Sequence, residues 1–314
     1  MYLVTGGAGF IGSNIVRRLA ADGEKVRVVD DFSTGKRENL DGLNDIEVIA
    51  GSLTNRSLII EALKDVTYVL HQGAIPSVPR SIADPLRSNE ANVTGTLNLL
   101  EGAREAGVER FVYAASSSAY GDTEVLPKVE DMSSSPLSPY AVSKYTGELY
   151  ARVYAELFNL QTVSLRYFNI FGPYQDPASQ YAAVIPKFIQ AMLKGGPPVI
   201  YGDGEQSRDF TYIDNAVEAN LLACKSDKVG QGEVINVACG KRYSLNEMVR
   251  MLNQILDTDI EPVYSESRPG DVKHSLADIS KAGKLLGYEV MTSFREGLER
   301  TVDWFTEKQK NASL

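Results

Sequence analysis

The chain opens Met1-Tyr2-Leu3-Val4-Thr5-Gly6-Gly7-Ala8-Gly9-Phe10-Ile11-Gly12. A short apolar run that breaks into closely spaced glycines reads as a buried strand feeding a tight turn. Ser13 to Ala21 then place Ile15, Val16 and Leu19 at helical spacing. The glycines satisfy both Gly7-x-Gly9-x-x-Gly12 and Gly6-x-x-Gly9-x-x-Gly12. They permit the turn, let backbone approach a pyrophosphate, and let the helix pack close on the strand. Backbone N–H groups at the start of that helix would meet the phosphates. A second strand, Lys25 to Val29, ends at Asp30, 18 residues beyond Gly12. That is near the spacing at which a carboxylate meets an adenosine ribose. Strand, turn, helix, strand and acid together predict a dinucleotide-binding βαβ unit. Asp30 and Asp31 would repel a 2′-phosphate, so the expected cofactor is NAD.

Outward from this unit, strand-like runs alternate with helical ones for about 170 residues, the pattern of a parallel sheet with helices on both faces. The later strands are Ile46 to Ala50, Tyr68 to His71, Arg110 to Ala115 and Thr162 to Tyr167. Ser57 to Leu63, Pro85 to Ala106 and Pro139 to Phe158 read as helices. The fold class is therefore α/β, a doubly wound Rossmann sheet. Its ligands bind beyond the carboxyl ends of the strands, where Gly73-Ala74, Ser116 to Ser118 and Asn169 fall. After Gly172 the texture shifts to loops rich in Pro and Gly, such as Gly195-Gly196-Pro197-Pro198, which predicts a smaller α/β lobe for substrate. Asp214 to Cys224 and Val234 to Val237 read as a helix and a strand returned to the first lobe. The expected division is 1–168 plus about 212–238 for the dinucleotide, and about 169–211 plus 239–314 for the substrate.

Composition bounds the rest. A content of 43% hydrophobic and 23% charged residues is that of an ordinary globular enzyme. A net charge of −9 argues against nucleic acid or an anionic membrane as partner. No apolar run reaches transmembrane length, and no basic-plus-apolar leader precedes the first strand, so the expected compartment is the cytoplasm. Cys224 and Cys239 read there as free thiols. With only His71 and His274, no metal site is expected.

Tyr140-Ala-Val-Ser-Lys144 carries the chemistry. Tyr-x-x-x-Lys alone occurs by chance about once in a chain of this composition. Here Ser138-Pro139 supplies an N-cap and a proline at the first helical position. Spacing of i and i+4 then sets phenol and ammonium on one helical face. A cation beside a phenol favours phenolate and lowers its pKa, making a base for a sugar hydroxyl.

These features, taken with His71-Gln-Gly-Ala74, Asn92-Val-Thr-Gly95, Ser116-Ser-Ser-Ala-Tyr-Gly121, Arg166-Tyr-Phe-Asn169, Arg208-Asp-Phe210 and Arg268-Pro-Gly-Asp271, resemble the extended short-chain dehydrogenases/reductases. The resemblance runs from Leu3 to about Leu286 and is specifically to the nucleotide-sugar 4-epimerases. It implies that Tyr140 is the base, Ser116 relays or orients the proton, and Lys144 holds the nicotinamide ribose. Ser117 or Ser118 could share the role of Ser116. The NAD contacts it implies are Gly6, Gly9, Phe10, Ile11 and Gly12 on the turn, then Asp30, Asp31, Phe32, Ser33 and Gly35. Ser52 and Leu53 follow the third strand, and Gln72, Gly73 and Ala74 the fourth; Asn92, Tyr140, Lys144 and Tyr167 complete the set. Relatives often carry Gly-Asp where this chain has Gly51-Ser52, so a charge-assisted contact to adenine becomes a neutral one. The substrate contacts implied are Ser77, the three serines, Tyr140, Asn169, Arg208, Arg268, Asp271 and Ser275.

The implied reaction is reversible oxidation at C4 of a UDP-hexose, giving a 4-keto sugar that is reduced on its opposite face. Ser275 falls where a tyrosine commonly excludes a 2-acetamido group, so the expected substrates are UDP-GlcNAc and UDP-GalNAc, with UDP-Glc and UDP-Gal also possible. The alternatives are an epimerase confined to UDP-Glc and UDP-Gal, a 4,6-dehydratase, a reductase, a decarboxylase, and a non-catalytic NAD-binding sensor. Ser117-Ser118 lacks the acidic pair of a dehydratase and the glutamate expected of a decarboxylase. Asp30 disfavours the NADPH of a reductase, and sensors typically lose the tyrosine or lysine. A homodimer is expected through Pro85 to Ala106 and Pro139 to Phe158, whose faces carry Leu97, Leu100, Tyr150 and Tyr154, residues that could equally be intramolecular core. The polar end, Phe305 to Leu314, is expected to fray.

Overall fold

The structure is a computed structural model that describes residues 1–177, 183–266 and 273–312. Its main sheet contains Tyr2–Thr5 (β1), Val26–Asp30 (β2), Ile46–Ala50 (β3), Tyr68–His71 (β4), Arg110–Ser116 (β5), Thr162–Tyr167 (β6) and Gln231–Val237. The spatial order is β3-β2-β1-β4-β5-β6 with Gln231–Val237 outermost, every pair parallel. Chain direction across the sheet reverses between β1 and β4, which opens a crevice at their carboxyl ends.

Alternation along each strand feeds two cores. Val4, Val28, Leu70, Val112 and Leu165 pack on one face with Ile15 and Leu19. Leu3, Val29, Val69 and Phe111 pack on the other with Ile59, Leu63, Leu99 and Leu100. A parallel sheet covered on both sides needs such apolar strands.

Phe10–Ala21 (α1) begins three residues ahead of the expected start, because Gly9 serves as its N-cap. Arg56–Ala62 (α2) is capped by Asn55, which accepts from the Leu58 N–H. The helix expected over Pro85 to Ala106 is interrupted. Val78–Ala83 (α3) is capped by Ser77, and Pro85–Asn89 (α4) by Asp84. A π turn, Glu90–Thr94, then leads into Gly95–Ala106 (α5). Pro139–Phe158 (α6) matches expectation: the Ser138 side chain accepts from the Ala141 N–H, and Asn159 ends the helix in the left-handed region at φ 57°.

The C-terminal segment expected to fray is helical as far as it is described, within Phe294–Ala312, and residues 313 and 314 lie outside the described residues. Trp304 packs 5.2 Å from the Tyr174 ring, and the Lys308 ammonium lies 4.9 Å from the Trp304 ring. Of the two readings left open for Leu97, Leu100, Tyr150 and Tyr154, the structure has them in or against the core. Leu100 and Tyr154 are buried in the second core, and Leu97 and Tyr150 pack against it. The exposed apolar face of α6 is instead Val142, Leu149, Val153 and Leu157.

Beyond β6 the chain forms short pairings, Ile170–Phe171 with Thr211–Tyr212 and Ser207–Arg208 with Tyr243–Ser244. Asp209 binds this region together. Its buried carboxylate accepts from the N–H groups of Cys239 (2.9 Å), Gly240 (3.1 Å) and Ala277 (3.2 Å). Burial pushes its pKa up to about 6.

Candidate active site

A cleft of about 570 Å³ runs along the carboxyl ends of β1, β2, β4, β5 and β6. At one end sits the glycine turn. Gly6 takes φ +65°, and its carbonyl accepts from the Gly9 N–H at 3.0 Å. A Cβ on Gly12 would overlap the Gly6 carbonyl, and one on Gly6 would lie 2.7 Å from Gly73 backbone. The turn can therefore pack this closely on itself and on the loop after β4 only because side chains are missing there. The Asp30 carboxylate accepts from Ala8 (2.9 Å) and Phe32 (2.8 Å) N–H groups, and burial raises its pKa.

Most of the expected cofactor set lines this cleft: Gly6, Gly9, Phe10, Ile11, Gly12, Asp30, Asp31, Ser33, Ser52, Leu53, Gln72, Gly73, Ala74, Tyr140, Lys144 and Tyr167. Three residues sit behind the wall. Gly35 packs against Asp30, so that a Cβ would come 2.9 Å from its carboxylate oxygens. Phe32 lies under the Arg37 guanidinium, 4.2 Å away. Asn92, buried in the π turn, accepts from the Ile75 N–H at 2.7 Å and donates to Ser143 Oγ at 3.0 Å. Ser143 Oγ in turn donates to the Tyr140 carbonyl at 2.8 Å. Asn92 thus braces the loop after β4 against α6.

The catalytic candidates converge on the cleft from β5 and α6. Ser116 lines the cleft with Tyr140, and its hydroxyl acts to lower the phenol's pKa. It also accepts from Ser118 Oγ (2.8 Å) and the Ser118 N–H (3.2 Å). Of the three serines, Ser116 and Ser117 therefore line the cleft, and Ser118 backs Ser116. The electrostatics differ from the sequence expectation. Burial raises the Tyr140 pKa, which the bond from Ser116 offsets in part. Lys144 is itself stripped of solvent, which holds its amine down to about 7. It lies 4.8 Å over the Tyr113 ring. A cation that is only half-charged near neutral pH cannot by itself bring the phenol down.

Tyr167 joins a network that sequence reading did not find. Asn220 donates to the Tyr167 hydroxyl at 2.7 Å and accepts from Gln72 at 3.1 Å. Asn169, at φ 41°, donates to the Asp209 carbonyl (3.0 Å) and to Ser275 Oγ (3.2 Å). A non-glycine residue held in that region marks a site where packing dictates backbone. Asn169 and Ser77 line the cleft, whereas Arg208 lies outside the lining and donates to the Ser207 and Lys273 carbonyls, both at 3.1 Å. Arg268 and Asp271 lie outside the described residues. Lys36, Arg80, Tyr174, Asp176 and Lys308 also line the cleft. The first and last of these could not be read from spacing, because Lys36–Asp176 (3.2 Å) and Lys308–Glu38 (3.9 Å) join distant segments.

A phenol, a hydroxyl pair and a lysine beside a dinucleotide cradle can move a proton from an alcohol as its carbon is oxidised.

The sequence model of the NAD dependent epimerase/dehydratase family matches residues 2–238. The chain is 37% identical over 312 residues to a putative UDP-glucose 4-epimerase of Methanocaldococcus jannaschii, covering 99% of this chain and 100% of that one. A solved UDP-N-acetylglucosamine 4-epimerase from Methanobrevibacter ruminantium, in complex with UDP-N-acetylmuramic acid, is 43% identical with a TM-score of 0.93 and 98% coverage of both chains. The UDP-glucose 4-epimerase of Thermus thermophilus, in complex with NAD, is 36% identical with a TM-score of 0.88, over 97% of this chain and 98% of that one. With its fold, its cofactor cradle and nearly its whole length shared, the chain belongs to the NAD dependent epimerase/dehydratase family, and its cofactor is NAD.

Proposed function

We propose that this chain is a UDP-sugar 4-epimerase that interconverts UDP-GlcNAc and UDP-GalNAc, and also accepts UDP-Glc and UDP-Gal. The observation that carries the reading is the convergence of Ser116, Tyr140 and Lys144 on the cleft that holds the glycine turn. Tyr140 takes the proton of the sugar 4-hydroxyl, and Ser116 orients that hydroxyl, with Ser118 behind it. Lys144 holds the nicotinamide ribose. The glycine turn and Asp30 would hold NAD, which would supply a reversible hydride acceptor for C4. Asn169 and Arg208, with Arg268, hold the diphosphate, and guanidinium forks suit its oxygens.

The acetamido preference is supported by Ser275, a small residue tied to Asn169, where a bulkier ring would take up space. The relative crystallised with UDP-N-acetylmuramic acid, itself an N-acetylated sugar nucleotide, points the same way. The name of the Methanocaldococcus relative favours a second reading, confined to UDP-Glc and UDP-Gal.

The apolar stripe Val142, Leu149, Val153 and Leu157 on α6 suits pairing with a second copy of the chain. Its two free cysteines suit a reducing, cytoplasmic setting. No helix among the described residues is long and apolar enough to cross a membrane.

The test is an NMR time course on purified protein with UDP-GlcNAc or UDP-Glc and no added cofactor. Conversion of the acetamido sugar to its C4 epimer is expected. Turnover of UDP-Glc alone would favour the second reading, and no turnover of either sugar with NAD supplied would sink both.

A further inference from the structure

Arg80 is a cation on the cleft wall that the reaction above does not employ. It lies in α3 and lines the cleft with Ser77 and Tyr140. The next residue, Ser81, is fully buried. Its Oγ accepts from the Tyr140 N–H at 3.0 Å and donates to the Val78 carbonyl at 2.7 Å. α3 is thereby fastened to the first turn of α6, which sets the Arg80 backbone next to the turn that carries Tyr140.

Among the described residues the Arg80 guanidinium has no ion-pair or hydrogen-bond partner, unlike the other cations of the cleft. Lys36 faces Asp176 at 3.2 Å, Lys308 lies 3.9 Å from Glu38, and Lys144 sits buried over a ring. The lining acids Asp30, Asp31, Glu38 and Asp176 belong to the glycine-turn end or to segments tied to Lys36. The expected diphosphate groups, Asn169 and Arg208, follow β6, whereas Arg80 follows β4 on the segment that carries Ser77. A guanidinium has five donors, no acceptor and a planar fork, so a carboxylate satisfies it better than a sugar hydroxyl does.

We propose that Arg80 is a specificity-determining residue that recruits UDP-hexoses bearing a carboxylate, either a C6 uronate or a lactyl ether at O3. The proposal rests on the epimerase reading and names a substrate class for that same site. The carboxylate pairs with the guanidinium while the 4-hydroxyl meets Tyr140.

The test compares wild type, Arg80→Gln and Arg80→Lys on UDP-GlcNAc, its C6 uronate and UDP-N-acetylmuramate, with C4 inversion followed by NMR. Wild type should invert at least one acidic sugar with a KM no higher than that for UDP-GlcNAc. Arg80→Gln should lower kcat/KM for that sugar about 10- to 100-fold, mainly through KM, and change UDP-GlcNAc less than about threefold. Arg80→Lys should recover part of the loss. The responding sugar tells C6 from O3 recognition. Equal losses on acidic and neutral sugars would assign Arg80 to the shared diphosphate and overturn the proposal, as would no loss on any sugar. Wild type that inverts UDP-GlcNAc but neither acidic sugar would also overturn it, leaving the epimerase reading intact. Failure on all three sugars would remove that reading itself.

Discussion

Glu148 and Arg166 meet in a two-pronged ion pair almost sealed from solvent. Nη2–Oε1 is 2.6 Å, Nε–Oε2 is 2.9 Å, and the side chains are only 5% and 3% exposed. The pair fastens α6 to β6, and the guanidinium also lies 4.5 Å over the Tyr120 ring. Glu148→Ala would strand a buried cation, at a cost of about 3–5 kcal/mol. Urea denaturation should show that loss, and a cost under about 1 kcal/mol would mean that water or another acid replaces the carboxylate.

Tyr140→Phe keeps the ring that packs in α6 and removes the proton acceptor. Turnover should fall about 10²- to 10⁴-fold, the usual worth of a positioned acid–base group. NAD should still co-purify at wild-type stoichiometry, which absorbance after denaturation measures. Retention of most of the activity would move the base to another group.

Ser275→Tyr tests the sugar pocket. The ring would enter the space beside Asn169, so kcat/KM for UDP-GlcNAc should fall about tenfold or more while that for UDP-Glc changes little. Parallel losses on both sugars, seen in initial-rate assays, would place position 275 away from the acetamido group.

His71 offers a pH test independent of turnover. Its buried ring contacts Thr5 Oγ1 at 2.7 Å and Thr96 Oγ1 at 2.8 Å. Burial, aided by the charge of Lys144, holds its pKa down to about 3, against an ordinary 6.5. The folded value lies below the unfolded one, so the contribution is full above about 6.5 and is lost as pH falls toward about 3. Between about pH 7.5 and 4.5 the loss is about 2–3 kcal/mol, at about 1.4 kcal/mol per unit below 6.5. His71→Gln does not titrate, so the stability gap between wild type and variant should narrow on acidification. A gap unchanged across that range would show that the ring titrates normally.

Leu149→Asp places a charge in the α6 stripe without touching the cleft. Light scattering should give twice the 34.3 kDa chain mass for wild type and the single mass for the variant. A dimeric variant would put the interface elsewhere, and a monomeric wild type would remove the dimer.

The parallel sheet, its order-setting first strand and the glycine turn were legible because each rests on local periodicity or on a backbone demand that only glycine meets. Tyr140 and Lys144 stood out through spacing and capping, Ser116 only through the family resemblance, and the fold brings all three to one cleft. The network of Asn220 with Tyr167, the Lys36–Asp176 pair and the station of Arg80 were not legible, because each depends on segments that only the fold brings together. The Tyr140 pKa was misread for the same reason: spacing reveals a neighbouring cation but not the burial that weakens it. The contact of Tyr174 with Trp304, just ahead of the polar C-terminal segment, was also out of reach, because it joins residues 130 positions apart.

The π turn at Glu90–Thr94 has a consequence for how such chains can change length. It carries a surplus residue relative to regular helix, and Asn92 uses that slack to brace the loop after β4. Deleting one residue there would remove the surplus and restore even winding while the turns on either side keep their phase. Ser77 and Arg80 would hold their stations, and the brace from Asn92 would be what is lost. A single-residue gap in this stretch should therefore disturb the cleft far less than one inside α5 or α6, where it would rotate the flanking turns by about 100°.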